Sequence, residues 1–178
     1  GAEKFAKDIG IEIVEKDYLY HEERLNRLRN SKKKISRQDN ESNNIGTVGA
    51  VALDRNGNIA AATSTGGMTN KMPGRVGDSP ILGSGTWAQN NVCGVSSTGH
   101  GEYFIKYQVA REVCARIDYL NLSLSESSTS IINELDNLGA KGGLISMDNE
   151  ANISAPFNTK GMIRGSKTNK SNLISEIY

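Results

Sequence analysis

Hydrophobic and polar positions divide the chain into a polar N-terminal part and a longer part with alternating strand and helix patterns. Residues 29–44 are polar, rich in Lys and Ser, and apolar only at Ile35, which is typical of a solvated linker that proteases can reach. Residues 48–53 are then small and apolar at nearly every position, which predicts a strand buried on both faces. The Asn-Gly pair within residues 54–58 predicts a hairpin turn into a second strand at residues 59–65.

Two helices are predicted after these strands. Residues 102–120 have helical spacing with one apolar stripe, formed by Tyr103, Tyr107, Ala110, Cys114 and Ile117. Ser123 followed by Glu126 forms a candidate capping box, which marks the start of a second helix. Gly139 is placed to end that helix, because glycine readily adopts the left-handed backbone of a helix C-terminus.

Further strands complete the predicted fold. Residues 92–97 have the pattern of a third strand, and residues 143–147 and 153–157 have the pattern of another hairpin. Paired antiparallel hairpins with helices between them predict the α+β class, in which sheets pack together and helices cover them.

Composition and charge describe an ordinary globular domain. The 178 residues suit one domain, and 37% hydrophobic residues with a formal net charge of +1 imply no strong electrostatic partner. The positive charge is concentrated in Lys32, Lys33, Lys34 and Arg37, and we interpret this run as a solvated linker rather than a nucleic-acid site. Neither a membrane-length apolar run nor a secretory signal is visible, so we expect no membrane partner and a cytoplasmic location.

The cysteine and histidine content limits the chemistry. Cys93 and Cys114 lie in unrelated apolar contexts without metal-ligand spacing, which favours two buried free thiols over a disulfide or a zinc site. The only histidines are His21 and His100, which makes a Ser-His-Asp mechanism or a histidine metal centre hard to assemble. We therefore predict no metal site.

The step Gly46-Thr47 offers a different nucleophile. A threonine released as a new N-terminus has a hydroxyl that attacks and an α-amine that takes its proton, and such an amine has a pKa of roughly 7.7–8.0 in peptides. While the Gly46–Thr47 bond is intact, the nitrogen is an amide and cannot act as a base, so cleavage would switch the site on. The alternative is that Thr47 is a strand residue selected for packing, as threonines often are.

Four motifs together resemble one enzyme family. The segments GTVGAVALD, ATSTGGMTNKMPGRVGDSP, STGHGE and PFNTKGM are similar to the plant-type asparaginase and isoaspartyl peptidase family of N-terminal nucleophile hydrolases, from about residue 46 to residue 162. Members are made as one precursor, cut themselves before the threonine, and form a four-layer αββα sandwich from the two subunits. The resemblance implies a cut between Gly46 and Thr47.

The resemblance also divides the chain. It implies that residues 1–46 are the C-terminal tail and linker of the first subunit and that residues 47–178 are the second subunit. Most of the first subunit, including the loop that binds a structural sodium ion in this family, then lies outside this chain. The family further suggests a dimer of αβ units.

Catalytic roles follow from the motifs residue by residue. The resemblance makes Thr47 the nucleophile, with its freed amine as base, and makes Thr65 a second threonine that orients it. Thr98 and Gly99 match the oxyanion hole, where a hydroxyl and a backbone N–H face the developing charge. The alternative for Thr65 is an ordinary strand hydroxyl.

The same comparison assigns the substrate contacts. Arg75 and Asp78 match the pair that holds the aspartyl end, because a guanidinium binds the α-carboxylate in a fork and a carboxylate accepts from the α-ammonium. The alternative for these two residues is a local surface salt bridge. Gly101 matches a backbone carbonyl contact to the substrate amine, although a glycine also suits a tight turn before a helix.

The implied reaction is two-step acyl transfer without a cofactor in bond breaking. Thr47 would attack the side-chain amide of L-asparagine or the β-aspartyl bond of a dipeptide, expel ammonia or an amine, and leave an ester for water to hydrolyse. Two alternatives remain. A glycosylasparaginase shares GRVGDSP but usually has Asp before the threonine, so Gly46 argues against it. A catalytically silent homologue would act only as a binding or assembly subunit.

Overall fold

The structure, a computed structural model, describes residues 2–33, 46–169 and 171–178. The chain divides into two compact units, Gly1–Ser42 and Asn43–Tyr178. The described part of the first unit contains helix α1 (Ala2–Asp8), a 3-10 helix (Lys16–Leu19) and helix α2 (Glu22–Lys33). Every side chain from residue 3 to residue 32 is at least partly exposed, so this part has no buried core of its own.

The predicted linker is shorter than the polar composition suggested. Residues 29–33 are the last turns of α2, so the prediction of a linker over all of residues 29–44 is wrong at its start. Glutamates in the first turn of α2 favour the helix, since negative charge there complements the helix dipole. The rest of the predicted linker, with Lys34, Ile35 and Arg37, lies outside the described residues.

The described residues of the second unit form three antiparallel sheets, and in sequence helices lie between the second and third strands of the four-stranded sheet. The first sheet pairs β1 (Thr47–Leu53) with β2 (Ile59–Thr65). The second has the order β3 (Thr86–Gln89), β4 (Cys93–Gly99), β5 (Gly142–Asp148) and β6 (Ile153–Ser154), and the third pairs β7 (Arg164–Ser166) with β8 (Ile174–Glu176). The predicted α+β class is confirmed. The predicted third strand is β4 and the predicted second hairpin is β5–β6, whereas β3, β7 and β8 were not predicted.

The turn between β1 and β2 has the chemistry that the sequence predicted. Gly57 has φ of +83°, in the left-handed region that favours glycine. The Asp54 carboxylate accepts hydrogen bonds from the backbone N–H groups of Asn56 and Asn58, each at 2.8 Å. Asp148 organises the turn between β5 and β6 through the same kind of contact. Both hairpins are therefore fixed by an aspartate at the end of the first strand.

Residues 101–120 form two helices instead of the single helix predicted from residue 102. These are α3 (Gly101–Lys106) and α4 (Val109–Leu120), and the break lies at Gln108, whose φ is +49°. The carbonyl groups of Gly83 and Ser84 accept hydrogen bonds from the first turn of α4, at 2.8 and 3.1 Å. The turn at Gly83 and Ser84 thus satisfies the free N–H groups of the first turn of α4, so α4 begins as a separate helix and does not continue α3.

Helix α5 (Leu124–Asn137) begins and ends where the sequence predicted. Ser123 Oγ accepts from the backbone N–H of Glu126 at 3.2 Å, and the Glu126 carboxylate accepts from the Ser123 N–H at 2.9 Å. Gly139 has φ of +76° directly after the helix. Helices α4 and α5 pack on the four-stranded sheet, and the largest fully buried apolar side chains between them are Phe104, Ile131, Leu135, Leu144, Val95, Val109 and Val113.

The prediction of two free thiols is wrong. Cys93 and Cys114 form a disulfide with a Cα–Cα distance of 5.6 Å, and both residues are fully buried. Helix α4 lies over β4, which brings together two residues that are 21 positions apart in sequence. Spacing along the chain alone could not reveal that contact.

The two larger sheets pack directly on each other through glycines. A Cβ atom added to Gly49 in β1 would lie 2.1 Å from Ser96 Oγ in β4. A Cβ atom added to Gly94 in β4 would lie 2.6 Å from Ile59 and 2.8 Å from Val51. Such distances exclude any larger residue without movement of the strands, so the glycines set the close approach of β1 and β2 to β4.

The other face of the first sheet is open. Val48 is 68% exposed, and Ala50 and Ala52 are also exposed, so the prediction that residues 48–53 are buried on both faces is wrong. The physical reason is that, in the part of the chain that the structure describes, only one face of β1 packs against another sheet. None of the described helices is long and apolar enough to cross a membrane.

Candidate active site

Thr47 and Thr65 face each other at the end of the first sheet. They are register partners in the β1–β2 pair, and the Thr47 hydroxyl donates to Thr65 Oγ1 at 3.3 Å. Thr65 Oγ1 also accepts the backbone N–H of Gly67 at 3.0 Å. The Lys71 ammonium binds the carbonyl of Gly66 at 2.8 Å and so closes the loop that follows β2. The hydroxyl of Thr65 is thus held between its own loop and Thr47.

The strand register brings Thr98 to the same end. Gly94 in β4 contacts Val51 in β1, and Ser96 in β4 contacts Gly49 in β1. The residue number therefore rises by two along β4 while it falls by two along β1. Because alternate residues of a strand share a face, we infer that one further step of the same kind brings Thr98 towards Thr47. Thr98 Oγ1 is buried and has no hydrogen-bond partner within the described residues. Its proton is therefore not used by any group of the described residues.

Gly99 lies where no side chain fits. A Cβ atom on this residue would lie 2.3 Å from the Phe104 ring and 2.7 Å from the carbonyl oxygen of Lys141. Gly99 pairs in register with Gly142 of β5, which is equally crowded. Close packing fixes the backbone that leads from Thr98 into helix α3.

Arg75, Asp78 and Gly101 form a second group at the start of α3. A Cβ atom on Gly101 would lie 3.0 Å from Asp78 Oδ1 and 3.2 Å from Arg75 Nη2, so the glycine makes room for both side chains. Arg75 does not form the local surface salt bridge with Asp78 that was the alternative. Among the described residues its ion pair is with Glu102, at 3.0 Å, and Asp78 is only 6% exposed.

Burial sets the charge behaviour of this group. Desolvation raises the pKa of Asp78. Backbone N–H groups and Arg75 act in the opposite direction, and Glu102 nearby raises the pKa further. Asp78 Oδ2 is buried without a hydrogen-bond partner in the described part of the chain. A buried carboxylate oxygen in this state is well suited to accept from a cationic ligand.

Comparison with known proteins decides the family. The sequence model of the asparaginase family matches residues 1–175. The chain belongs to the asparaginase family. It is 47% identical over 172 residues to the isoaspartyl peptidase of Escherichia coli (strain K12), which covers 92% of this chain and 54% of that protein. It is 41% identical over 163 residues to the isoaspartyl peptidase/L-asparaginase of Xenopus laevis, which covers 91% of this chain and 52% of that protein.

The resemblance predicted from the motifs is thus confirmed, and this asparaginase-family chain spans about half the length of the curated relatives it matches. The predicted site residues fall into two groups, the three threonines at one end of the packed sheets and Arg75 with Asp78 and Gly101 at the start of α3. The segment from Thr98 to Gly101 joins the two groups. Gly46 is exposed directly before β1, and the cut after it stays a prediction.

Two residues that contact the predicted site residues were missed from sequence. Glu102 binds Arg75, and Lys71 holds the loop after Thr65. Both lie inside motifs that carried the resemblance, so their position was the available signal. Among the described residues, no group of three His, Cys, Asp or Glu side chains is arranged to hold a metal ion.

Proposed function

We propose that this chain carries the nucleophile of an amidohydrolase that acts on L-asparagine and on β-aspartyl dipeptides. The observation that carries the proposal is the contact of the Thr47 and Thr65 hydroxyls at the first residue of β1, directly after Gly46. The printed names of the relatives, isoaspartyl peptidase and isoaspartyl peptidase/L-asparaginase, support the substrate class.

The proposed reaction begins with cleavage of the Gly46–Thr47 bond. The Thr47 α-amine then takes the proton of the Thr47 hydroxyl as the oxygen attacks the amide carbon of the substrate. The amine returns that proton to the leaving nitrogen, so ammonia or an amino acid departs and an aspartyl ester of Thr47 remains. Water, deprotonated by the same amine, hydrolyses the ester and releases aspartate.

The charge that develops on the attacked carbonyl needs hydrogen-bond donors. We propose that the hydroxyl of Thr98 and the backbone N–H of Gly99 supply them. The unpartnered, buried hydroxyl of Thr98 supports this role, since a donor that is already in place costs no reorganisation during the reaction. The tight packing around Gly99 supports it as well, because it fixes the direction of the backbone.

The free end of the aspartyl group would bind at the start of α3. In this proposal Arg75 binds the α-carboxylate, Asp78 accepts from the α-ammonium, and the Gly101 carbonyl gives a second contact to that ammonium. The proximity of both side chains to Gly101 supports a single binding site for the two charges of an amino acid. The unpartnered oxygen of Asp78 supports the ammonium contact.

The finer architecture is part of the same proposal. We infer a four-layer αββα sandwich in which residues 1–46 belong to the first subunit and residues 47–178 to the second, assembled as a dimer of αβ units. The open face of β1 supports a further layer, since its apolar residues would then be covered. The proposed reaction takes its nucleophile and base from Thr47 and uses no metal or organic cofactor. A sodium ion, if present, would have a structural role outside the described site.

Release of aspartate tests the proposal. The purified chain is incubated with β-aspartyl-leucine, with L-asparagine and with a glycosylated asparagine, and aspartate is measured for the wild type and for Thr47→Ala. Thr69→Ala is the matched control, because Thr69 is exposed in the neighbouring loop. We expect activity on the first two substrates in the wild type and the control, and none in Thr47→Ala. Preference for the glycosylated substrate would indicate a glycosylasparaginase, and no release from any substrate would indicate a silent homologue.

A further inference from the structure

Arg75 is already held by a carboxylate before any ligand arrives. Its Nη2 and Nε donate to the same oxygen of Glu102, at 3.0 and 3.3 Å. The Arg75 side chain is 18% exposed, whereas that of Glu102 is 64% exposed. Glu102 therefore binds one edge of a largely buried guanidinium from the solvent side.

The contact with Glu102 leaves other N–H donors of the guanidinium for a ligand. A guanidinium has five N–H donors in a fixed fork, and Glu102 uses one edge of it. Glu102 accepts with a single oxygen, and Gly101 lacks a side chain where an added Cβ atom would lie 3.2 Å from Nη2, so this side of the guanidinium is not crowded by the helix. An arginine fixed in this way does not lose further side-chain freedom when a carboxylate binds, which favours tighter binding.

The charges around Gly101 also favour one class of ligand. One cation, Arg75, lies close to two carboxylates, Asp78 and Glu102, and an added Cβ atom on Gly101 would lie within 3.2 Å of both Arg75 and Asp78. A ligand with a carboxylate alone would meet a site with excess negative charge. A ligand with both a carboxylate and an ammonium, such as the free end of an α-amino acid, matches all three groups.

We propose that Glu102 is a positioning residue that orients Arg75 for the α-carboxylate of the substrate and so helps to select substrates with a free aspartyl end. This inference rests on the proposed function. Glu102 touches Arg75 and not the reacting atoms, so its effect is on binding. The conservative variant Glu102→Gln keeps an oxygen that accepts from Arg75, whereas Glu102→Ala removes it.

Kinetics and ligand binding together test this role. KM and kcat for L-asparagine are measured for the wild type, Glu102→Ala and Glu102→Gln, with dissociation constants for L-aspartate and for β-alanine, which lacks the α-carboxylate. In Glu102→Ala we expect KM and the L-aspartate constant to rise about tenfold, with kcat and the β-alanine constant within about twofold of wild type. Glu102→Gln should recover most of the loss.

The matched control is Glu112→Gln. Glu112 is also a helical glutamate paired with an arginine, Arg116, at 3.0 Å, and it lies in α4. This variant should leave all four constants at the wild-type values. Thermal unfolding establishes that each variant is folded, and if Glu102→Ala does not fold, the comparison of Glu102→Gln with the wild type decides, with a smaller rise of about threefold expected.

The outcomes separate this inference from the proposed function. Unchanged KM and L-aspartate binding in Glu102→Ala, or an equal loss of β-alanine binding, overturns the role of Glu102 while the hydrolysis stands. A wild type that binds L-aspartate but releases none from any substrate overturns the proposed function, and the binding constants still report on Glu102. A wild type that neither binds L-aspartate nor releases it overturns both.

Discussion

The Thr47 hydroxyl donates to the Thr65 hydroxyl at 3.3 Å across the register pair that begins β1 and ends β2. Thr65 Oγ1 accepts the N–H of Gly67 as well, so both of its acceptor positions are used. Its single proton is then left for a third group. In the proposed enzyme the α-amine of Thr47 keeps its lone pair for the Thr47 hydroxyl proton, so Thr65 orients the nucleophile through its contact with the Thr47 hydroxyl.

Replacing Thr65 tests this arrangement. Thr65→Val removes the hydroxyl but keeps the β-branched shape, so we expect kcat for aspartate release to fall about a hundredfold with little change in KM. Thr65→Ser keeps the hydroxyl and should retain most activity. Ser64→Ala is the control, because Ser64 is exposed on the other face of β2. Equal kcat values for Thr65→Val and the wild type would rule out the orienting role.

Asp78 should make the protein less stable as pH rises. The pKa of Asp78 is raised from 3.8 by burial, so between 3.8 and the higher folded-state value the folded protein holds more protons than the unfolded chain. The free energy of unfolding therefore falls with rising pH across this window, and the loss is complete above the folded-state pKa. Asp78→Asn has no such charge to bury and should be the more stable protein at neutral pH.

Thermal unfolding of both proteins from about pH 3 to about pH 8 measures this effect. The melting temperatures should converge in acid and separate in favour of Asp78→Asn as pH rises. Other carboxylates titrate in both proteins, so the difference isolates Asp78. The same variant should lose aspartate release, as expected when an active-site charge is retained at a cost in stability. A variant that is less stable than the wild type at neutral pH would contradict this account.

The disulfide between Cys93 and Cys114 should stabilise the domain. It joins residues 21 positions apart in sequence. For a loop of this length, the lost chain entropy of the unfolded state gives a stabilisation of about 3 kcal/mol. We expect reductant to lower the melting temperature of the wild type and to leave that of the double variant Cys93→Ala/Cys114→Ala unchanged. Alkylation of the unfolded wild type should label both cysteines only after reduction. Labelling without reductant would show that the two thiols are free.

Gly49 should tolerate no side chain. A Cβ atom there would lie 2.1 Å from Ser96 Oγ, so Gly49→Ala must push β1 away from β4, and we expect a loss of about 1–3 kcal/mol of stability. Gly66→Ala is the control, because nothing lies within 4 Å of its Cβ position. The free energy of unfolding in denaturant measures both variants. Equal stability of the two would contradict direct packing of the sheets at this point.

The sequence predicted those features whose causes are local. Ser123 and Glu126 are three residues apart and cap α5 by contacts with each other, and Gly57 determines its turn through its own backbone. The motifs likewise indicated Thr47 and Thr65, which the strand pair brings into contact. The cap and the turn depend on a few neighbouring residues, whereas Thr47 and Thr65 were indicated by the resemblance of their motifs.

Features with distant causes were not predictable in this way. The break at Gln108 depends on the turn at Gly83, and the disulfide depends on how α4 lies over β4. The contact of Glu102 with Arg75 joins residues 27 positions apart, and only the fold brings α3 to the loop after β2. Pairing of β7 with β8 joins short strands without a strong hydrophobic pattern.

The mass of the intact purified chain after incubation at neutral pH tests the central claim most directly, with Thr47→Ala measured beside it. The account predicts two pieces that meet between Gly46 and Thr47 in the wild type and a single uncut chain in the variant. A wild-type chain that stays whole, or one that is cut at the same place in Thr47→Ala, would contradict the claim that Thr47 generates its own free amine.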